Sequence, residues 1–450
     1  MDQIIIEGVR CFHNRQSVPL RPITLLVGEN SSGKTTFLAL TRIAWSLRQG
    51  ELLIDFNEEP FLLGAYDQIA SYRGGRAGRA ESFTVGTQFS IDPPLTLPSG
   101  GKDTLPTPAI ETITLTGHFT RKEAQPRLAE WILDAGPFKV ENKYFENEKS
   151  PQVVITTPSG SLTLGQDADL RDSGRGLPFD LLLLLAYRFS LTKQIEQGTV
   201  KESGKISQDE LHSLSQLIDY LFVPAEQPPH AFAPVRTHPR RTYDPVKDVP
   251  NPEGAHVPMI LAKLSSSDQP TWEQLRESLD SFGKASGLFS DLEVRRLGKE
   301  ESDPFQIQIK VAGPAFNLVD VGYGVSQVLP IVVDAVRGRK GSTFLLQQPE
   351  VHLHPKAQAE LGSFLATLAK HDHKRFVIET HSDYLVDRIR MDVRDGKYLS
   401  PEDVALLYFE RRNGSVEIKH LELDRLGNII NAPAGYRQFF LEEEMRLLGG

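Results

Sequence analysis

The sequence has little cysteine, no long hydrophobic run and no basic segment at its start. Its single cysteine, Cys11, excludes an internal disulfide framework and indicates a reducing compartment. The longest apolar run, Leu181–Tyr187, is far too short to span a bilayer, so we expect no contact with a membrane. Residues 1–3 place no basic region before the first apolar run, which argues against a signal peptide. These absences predict a cytoplasmic protein.

Positive charge is also in deficit, since 50 lysine and arginine residues face 59 aspartate and glutamate residues and leave a net charge of −9. Such a balance argues against a protein that coats DNA over its whole surface, but it allows a local basic groove. Hydrophobic residues make up 39% and charged residues 24%, as in soluble globular proteins. Because 450 residues exceed one ordinary core, we expect two lobes or domains.

What the sequence does contain is a phosphate-binding loop. Residues 28–35 fit the pattern G-x-x-x-x-G-K-[ST]. The β-branched apolar run Ile23–Val27 before them predicts a buried parallel strand, and the helical spacing of Thr36–Arg48 after them predicts a helix. The predicted nucleotide-binding residues are Gly28, Glu29, Asn30, Ser31, Ser32, Gly33, Lys34, Thr35 and Thr36.

Each residue type in the loop has a chemical role. Gly28 and Gly33 let the backbone curl so that its N–H groups point at phosphate oxygens, and the following helix N-terminus adds positive potential. Lys34 is expected to reach the outer phosphates, and the Thr35 hydroxyl is expected to ligate Mg²⁺. The sequence therefore predicts binding of a nucleoside triphosphate.

A second anion-binding segment is predicted near the start of an apolar helix, Val328–Val336. Small residues at a helix start leave backbone N–H groups free to meet an anion, although a helix cap with tight packing is the alternative. Because the phosphate loop already serves its own site, this segment is expected to meet a nucleotide held by another subunit. The residues given this role are Gly324, Ser326 and Gln327.

Two further strands end in polar residues. The strand before Gln347 occupies the place of the second metal-site residue of a phosphate-loop ATPase, so Gln347 is predicted to share the metal with Thr35. His352 and His354 follow, but no accompanying ligand set with suitable spacing favours zinc. His381 comes after the next strand, on the edge of a parallel sheet where ligands bind, with a capping histidine as the alternative.

The middle of the chain differs in character. Phe83–Ile91 and Ile110–Phe119 alternate like antiparallel strands, whereas residues 179–189 and 210–222 have helical patterns without a sustained heptad. The predicted domains are an N-terminal lobe with the phosphate loop and antiparallel strands (1–165), a helical insert (166–300) and a C-terminal lobe with the remaining motifs (301–450).

A basic, proline-stiffened stretch, Ala233–Tyr243, falls within the predicted insert. Its arginines are equally well interpreted as contacts to the phosphates of DNA or nucleotide and as structural groups that pair with acids elsewhere. The sequence alone leaves both interpretations open.

The order of the phosphate loop and of segments 324–327, 347–350 and 380–382 resembles the ABC-type ATPases of the RecF and SMC group. It looks most similar to the overcoming-lysogenization-defect-like branch, which is common in bacterial anti-phage systems. The resemblance covers about residues 1–90 and 300–440. It implies an α/β fold: a two-lobed ABC-type head with a phosphate-loop parallel sheet, an antiparallel β lobe and an inserted helical subdomain.

The resemblance also implies a mode of action. Two heads would sandwich ATP and Mg²⁺ in a homodimer or higher oligomer, and His381 would sense the γ-phosphate. A separate effector, for which a nuclease is a candidate, would be controlled in response to DNA or a phage protein. Relatives with a fused toprim nuclease continue well beyond the switch histidine with clustered acids, so we expect no nuclease in this chain.

The sequence departs from the family at the catalytic acids. The signature is not Leu-Ser-Gly-Gly-Gln, and glutamines stand at Gln347 and Gln348 where acids are usual. Glutamine can touch hydrated Mg²⁺, but it lacks charge and cannot act as a base. The candidate catalytic residues are therefore Glu350, the only carboxylate of the motif, with Gln348 and His381. Either the protein hydrolyses ATP slowly or Gln347 is a trapping substitution.

Three functions fit these features: an ATP-gated switch that controls an effector in defence, a RecF-like ATPase of genome maintenance, and a non-hydrolysing ATP-dependent scaffold. A neighbouring effector gene would favour the first, salt-sensitive binding to DNA ends the second, and tight ATP binding without turnover the third.

Overall fold

The computed structural model describes residues 1–51, 53–75, 78–95, 109–144, 152–164, 227–245, 249–433 and 435–437, with isolated positions between 210 and 217 and between 442 and 448. In chain order the strands are β1 (Gln3–Glu7), β2 (Gln16–Pro19), β3 (Ile23–Gly28), β4 (Ser82–Leu95), β5 (Ile110–Lys122), β6 (Gln125–Ala135), β7 (Phe138–Lys143), β8 (Gln152–Thr157), β9 (Gly160–Leu164), β10 (His230–Phe232), β11 (Asp291–Arg296), β12 (Phe305–Lys310), β13 (Ala315–Asn317), β14 (Thr343–Gln347), β15 (Arg375–Glu379), β16 (Val404–Arg412) and β17 (Ser415–Leu421). The helices are α1 (Lys34–Arg48), α2 (Tyr66–Ile69), α3 (Val257–Ser267), α4 (Gln269–Ser286), α5 (Tyr323–Arg337), α6 (Pro355–Asp372) and α7 (Asp383–Arg394).

The chain divides into two compact units. Unit one comprises Met1–Pro19, Ala39–Pro228 and Arg411–Glu417, and unit two comprises Leu20–Leu38, Pro229–Glu410 and Ile418–Gly450. This division differs from the predicted one, in which residues 1–165 hold the phosphate loop. The loop belongs to unit two because β3 pairs with β15 and β16, which come from the last third of the chain.

Unit one is built on an eight-stranded sheet in the order β2-β1-β4-β5-β6-β7-β8-β9. Neighbouring strands are antiparallel, as the alternation of the sequence predicts. Two-residue turns connect β5 to β6 and β6 to β7, and Gly136 in the second turn has a φ of +66°. Phe83 and Phe119 stack with ring centroids 5.3 Å apart, so β4 and β5 contribute to the apolar core of this unit.

Unit two is built on a six-stranded sheet in the order β10-β14-β15-β3-β16-β17. The first five strands are parallel, and the buried runs of β3, β14 and β15 are what a sheet covered on both faces requires. A small antiparallel sheet, β11-β12-β13, lies in the same unit. The mixed α/β class, with a phosphate-loop parallel sheet and an antiparallel β lobe, is confirmed.

Some predicted elements fall outside the described residues. They are the helix 179–189 and most of the helix 210–222. Among the helices that are described, none combines the length and the apolar character that a membrane span requires.

Candidate nucleotide-binding site

The candidate site lies at the carboxyl edge of the parallel sheet in unit two. Three neighbouring strands, β14, β15 and β3, end there in Gln347, Glu379 and Gly28. In open sheets of this kind, ligands bind just beyond the carboxyl ends of the strands. The phosphate loop and both polar segments predicted from the sequence therefore meet at one edge.

The phosphate loop needs glycine at two positions. Gly28 and Gly33 have φ values of +136° and +95°, which favour glycine. A Cβ atom at Gly28 would also come within 2.8 Å of the Phe409 carbonyl oxygen. The backbone of β16 thus holds the start of the loop in its curled conformation.

Lys34 is folded over the loop that precedes it. Its Nζ donates hydrogen bonds to the carbonyl oxygens of Gly28 at 2.9 Å and Glu29 at 2.6 Å, and the residue is only 3% exposed. Burial lowers the pKa of the Lys34 ammonium, while the carboxylates of Glu379 and Glu29 oppose this effect. A buried ammonium group paired with carbonyl oxygens is suited to exchange those oxygens for phosphate oxygens.

The Thr35 hydroxyl, at the start of α1, donates a hydrogen bond of 2.7 Å to Oε2 of Glu379. Burial raises the pKa of Glu379, and the bond from Thr35 and the charge of Lys34 act in the opposite direction. Sequence reasoning missed Glu379 as a site residue. The signal that could have found it is its place as the last residue of a strand, two residues before His381.

Gln347 lies one strand farther from the phosphate loop. It pairs in register with Glu379, and the N–H of Gln348 donates to the Glu379 carbonyl oxygen at 2.8 Å. Gln347 is only 6% exposed, and its Nε2 has no hydrogen-bond partner among the described residues. Gln348 has a φ of +42°, so the chain turns sharply as it leaves β14. The metal role of Gln347 and the catalytic role of Gln348 stay predictions.

Glu350 is brought to the end of β15. Its Oε1 accepts a 2.7 Å hydrogen bond from the His381 N–H, while its buried Oε2 has no partner in the described part of the chain. Burial raises the pKa of Glu350, against bonds from main-chain N–H groups and the Thr380 hydroxyl and against the charge of Arg236. Glu350 is thus a buried carboxylate with one oxygen held in place, as a group that orients water would be.

His381 keeps its side chain exposed at the same edge. Partial burial and the nearby positive charge of Lys34 lower the pKa of its imidazole. The helix cap that the sequence offered as the alternative role belongs instead to Ser382, whose Oγ accepts a 3.1 Å bond from the Leu385 N–H. The imidazole of His381 is therefore not needed for capping.

The segment predicted to meet a nucleotide on another subunit does not precede the helix, as the sequence predicts. It lies within the first turns of α5, which begins at Tyr323. Gln327 is only 1% exposed, and its Oε1 accepts from the Arg236 N–H at 3.3 Å, so its side chain is not available to a nucleotide on another subunit. Ser326 is also buried and donates to the Tyr323 carbonyl oxygen at 2.8 Å. Gly324 packs closely, since a Cβ there would lie 2.7 Å from the His352 carbonyl oxygen.

The basic loop supplies a buried arginine to this region. Arg236 is 1% exposed and donates from Nη2 to the Gln347 carbonyl oxygen at 3.3 Å. Burial lowers the pKa of Arg236 to about 10, against the charge of Glu350. Its Nε and Nη1 have no hydrogen-bond partner among the residues described. Arg241, by contrast, forms an exposed ion pair with Asp320 at 2.6 Å, so it fits the structural interpretation of this loop.

The two histidines that suggested zinc have other contacts. His352 packs edge-on against Tyr323 with ring centroids 4.8 Å apart, and Nδ1 of His354 accepts from the Lys356 N–H at the start of α6. No group of three or more His, Cys, Asp or Glu side chains suited to a metal ion occurs in the described ranges. Mg²⁺ in phosphate-loop sites needs only one or two protein oxygens besides phosphate and water, which Thr35 and a strand-end residue can supply.

Known proteins resemble parts of this arrangement. Residues 224–387 match a family model described as "AAA domain, putative AbiEii toxin, Type IV TA system". This segment contains the basic loop, α5, β14 and β15. No curated protein matches the chain.

Among solved structures, the SMC head bound to the C-terminal winged-helix domain of ScpA has 11% identity, covers 94% of this chain and 98% of its own, and has a TM-score of 0.48. The SMC head domain from Thermotoga maritima has 13% identity, covers 94% and 99%, and has a TM-score of 0.41. The head domain with an extended coiled coil from Pyrococcus furiosus has 12% identity, covers 99% of both chains and has a TM-score of 0.45. The family-model match makes residues 224–387 similar to an AAA domain.

Proposed function

We propose that this chain binds ATP with Mg²⁺ and works as an ATPase switch. The observation that carries the proposal is the arrangement of Lys34, which lies over the loop on two carbonyl oxygens at 2.9 and 2.6 Å, beside a Thr35 hydroxyl bonded to Glu379. On ATP binding, phosphate oxygens replace the carbonyl partners of Lys34. The loop N–H groups and the first turn of α1 bind the remaining phosphate oxygens.

Hydrolysis is assigned to residues at the ends of β14 and β15. Glu350 orients the attacking water, and His381 contacts the γ-phosphate. Gln348 is an amide and cannot take a proton, so Glu350 is the base of this segment. Bound Mg²⁺ supplies charge stabilisation at the phosphates. With one carboxylate where related enzymes usually carry more, we expect slow turnover.

The second part of the proposal is assembly. Gly322, the N-cap of α5, is exposed, and a Cβ atom at this position would meet nothing within 4 Å. The N-terminal end of α5 is therefore accessible to the phosphates of a nucleotide on another copy, which its main-chain N–H groups would bind. Contact through main chain agrees with the burial of Ser326 and Gln327.

The proposed biological role is control of a separate effector in bacterial anti-phage defence, with a nuclease as a candidate effector and DNA or a phage protein as the trigger. The support is the sequence resemblance together with the matched family model, whose description names a putative toxin of a type IV toxin–antitoxin system. A RecF-like role in genome maintenance uses the same nucleotide chemistry and is distinguished by binding to DNA ends.

A non-hydrolysing scaffold is the second candidate function, because a specific observation favours it. Gln347 and Gln348 both stand at the end of β14, so neither provides negative charge for metal or a base for water. ATP would then hold an assembly together without being consumed. Phosphate release from the wild-type protein separates a slow ATPase from this scaffold.

The test of nucleotide binding is Lys34→Ala, measured by isothermal titration calorimetry with ATP. We expect the affinity to fall by roughly 100-fold, because lost charge-assisted hydrogen bonds to phosphate cost about 3 kcal/mol. The fold should persist, because Lys34 lies over the phosphate loop and is not part of the hydrophobic core, so its truncation opens no core cavity. Lys370→Ala, which removes an exposed lysine on α6, is the matched control. Unchanged affinity in Lys34→Ala would remove the basis of the proposal.

A further inference from the structure

The inference concerns the carboxylate of the magnesium site, and it rests on the proposed function. Phosphate-loop ATPases hold Mg²⁺ between the loop hydroxyl and an acid that follows another strand of the sheet. The sequence pattern gives the second position to Gln347, which has no charge. The described residues contain a carboxylate that already meets the loop hydroxyl, namely Glu379, bonded to Thr35 at 2.7 Å.

Strand order favours Glu379 over Gln347. The order β14-β15-β3 puts β15 directly beside the strand of the phosphate loop, with Glu379 paired to Leu26 and Gln347 paired to Glu379. Adjacent strands are about 4.8 Å apart, so Gln347 starts roughly one strand spacing farther from the loop. Mg²⁺ binds its oxygens at about 2.1 Å and tolerates little variation, so the carboxylate already within hydrogen-bond distance of the Thr35 hydroxyl is the better-placed inner ligand.

The distribution of charge also favours Glu379 over Gln347 as the metal ligand. The main chain of Gln347 accepts a hydrogen bond from the buried guanidinium of Arg236 at 3.3 Å, and two further nitrogens of Arg236 have no partner among the described residues. The charge of Arg236 is opposed by that of Glu350, and Gln347 adds no negative charge for a second cation, whereas Glu379 is a carboxylate. The cation near Glu379 is Lys34, whose charge the phosphates of ATP would neutralise.

We infer that Glu379, rather than Gln347, supplies the carboxylate that binds Mg²⁺ together with Thr35. The hydrogen bond between Thr35 and Glu379 then marks the place of the metal, with the two oxygens already adjacent. Glu379 at the end of β15 thus takes the role of the acid that related ATPases carry at the position of Gln347, the end of β14. Gln347 is left to pack against the Arg236 loop.

The experiment measures metal binding rather than turnover. Mn²⁺ replaces Mg²⁺ and its binding to the full chain in the presence of ATP is followed by electron paramagnetic resonance, while ATP binding without metal is measured in EDTA. We expect Glu379→Gln to weaken Mn²⁺ binding by at least about tenfold, because loss of an inner ligand should cost no less than the loss of an outer-shell partner. Binding of ATP in EDTA should stay within about twofold, because the amide keeps the size of the side chain and removes no phosphate contact.

Variants at Gln347 provide the matched comparison with Glu379→Gln in the same Mn²⁺-binding measurement. Gln347→Leu removes the amide at similar size, and Gln347→Glu adds a carboxylate there. We expect neither to change Mn²⁺ affinity by more than about threefold, an effect below that of a lost inner ligand. Loss of Mn²⁺ binding in Gln347→Leu, or unchanged binding in Glu379→Gln, would overturn the inference. Failure of the wild-type protein to bind ATP in the presence of Mg²⁺ would instead contradict the proposed function.

A second variant covers the case in which Glu379→Gln does not fold. Glu379→Asp keeps the charge but withdraws the carboxylate by one methylene group from the Thr35 hydroxyl. We expect a several-fold loss of Mn²⁺ affinity, on the order of fivefold, because Mg²⁺-type sites tolerate little change in ligand position. Affinity equal to that of the wild-type protein would count against Glu379 as a ligand.

Discussion

The two carboxylate oxygens of Glu350 lie in different environments. Its Oε1 is held by the His381 N–H at 2.7 Å, but its Oε2 is buried without a partner among the described residues. Burial is the largest influence on its pKa, which is raised above the ordinary value of 4.5. A buried carboxylate oxygen without a partner costs stability when the group is ionised, so the presence of Glu350 is better explained by catalysis than by packing.

The sign of the resulting pH dependence is fixed by the raised pKa. Between the ordinary and the raised value, the folded state binds more protons at Glu350 than the unfolded state does, so stability falls as pH rises through that window. Above the window the cost of the buried charge is fully present. We therefore expect Glu350→Gln to be more resistant to denaturant than the wild-type protein at neutral pH, with the difference shrinking as pH falls towards 4.5.

The same variant should lose activity while it gains stability. A general base contributes about 100-fold or more, so phosphate release by Glu350→Gln should fall by about that factor at neutral pH. Denaturant unfolding at several pH values and a phosphate-release assay measure the two effects. Glu277→Gln, an exposed change on α4, is the control for both. Lower stability with normal turnover would show that Glu350 is structural.

At the scale of elements, ATP-dependent assembly of two copies can be tested at the N-terminal end of α5. Gly324 is a poor position for a bulky probe, because its Cβ would lie 2.7 Å from the His352 carbonyl oxygen and the chain itself would be disturbed. Gly322 is exposed, has a φ of −56° that any residue adopts, and has no atom within 4 Å of a Cβ. Gly322→Arg therefore changes what a second copy meets and leaves the packing of this copy alone.

We expect Gly322→Arg to abolish ATP-dependent assembly while binding of ATP to the single chain stays within about twofold, since the phosphate loop is untouched. Light scattering coupled to size-exclusion chromatography, with and without ATP, measures the assembly. Gly322→Ala, which adds only a methyl group, should assemble normally. Assembly of Gly322→Arg at the wild-type ATP concentration would contradict contact through this helix end.

The elements also show which parts of the site a sequence can predict. The phosphate loop is predictable because its glycines, lysine, strand and helix lie within one short segment with a local periodicity. The bond between Thr35 and Glu379 joins residues 344 positions apart, and that between Arg236 and Gln327 joins residues 91 apart. Such pairings depend on strand order, which no local pattern contains. The sequence predicts the start of α5 several residues too late, because glycine and serine in its first turn are typical of a loop.

For the whole molecule, we expect ATP to stabilise the unit that contains its site. The phosphate loop and the ends of β14 and β15 all belong to unit two, whereas β4 to β9 belong to unit one. A ligand that binds only the folded state stabilises by about 2.7 kcal/mol when its concentration is 100 times its dissociation constant. We expect that stabilisation to protect the unit that contains the site.

Hydrogen exchange with mass spectrometry tests this division directly. With ATP and Mg²⁺ at saturating concentration, we expect slower exchange in the phosphate loop and in the segments that follow β14 and β15, because their opening must release the ligand. Strands β5 to β8 of unit one should exchange at the same rate with and without ATP. Lys34→Ala should show no protection in either unit, since it does not bind. Equal protection of β5 to β8 would mean that the two units open together, and protection confined to unit one would place the nucleotide elsewhere.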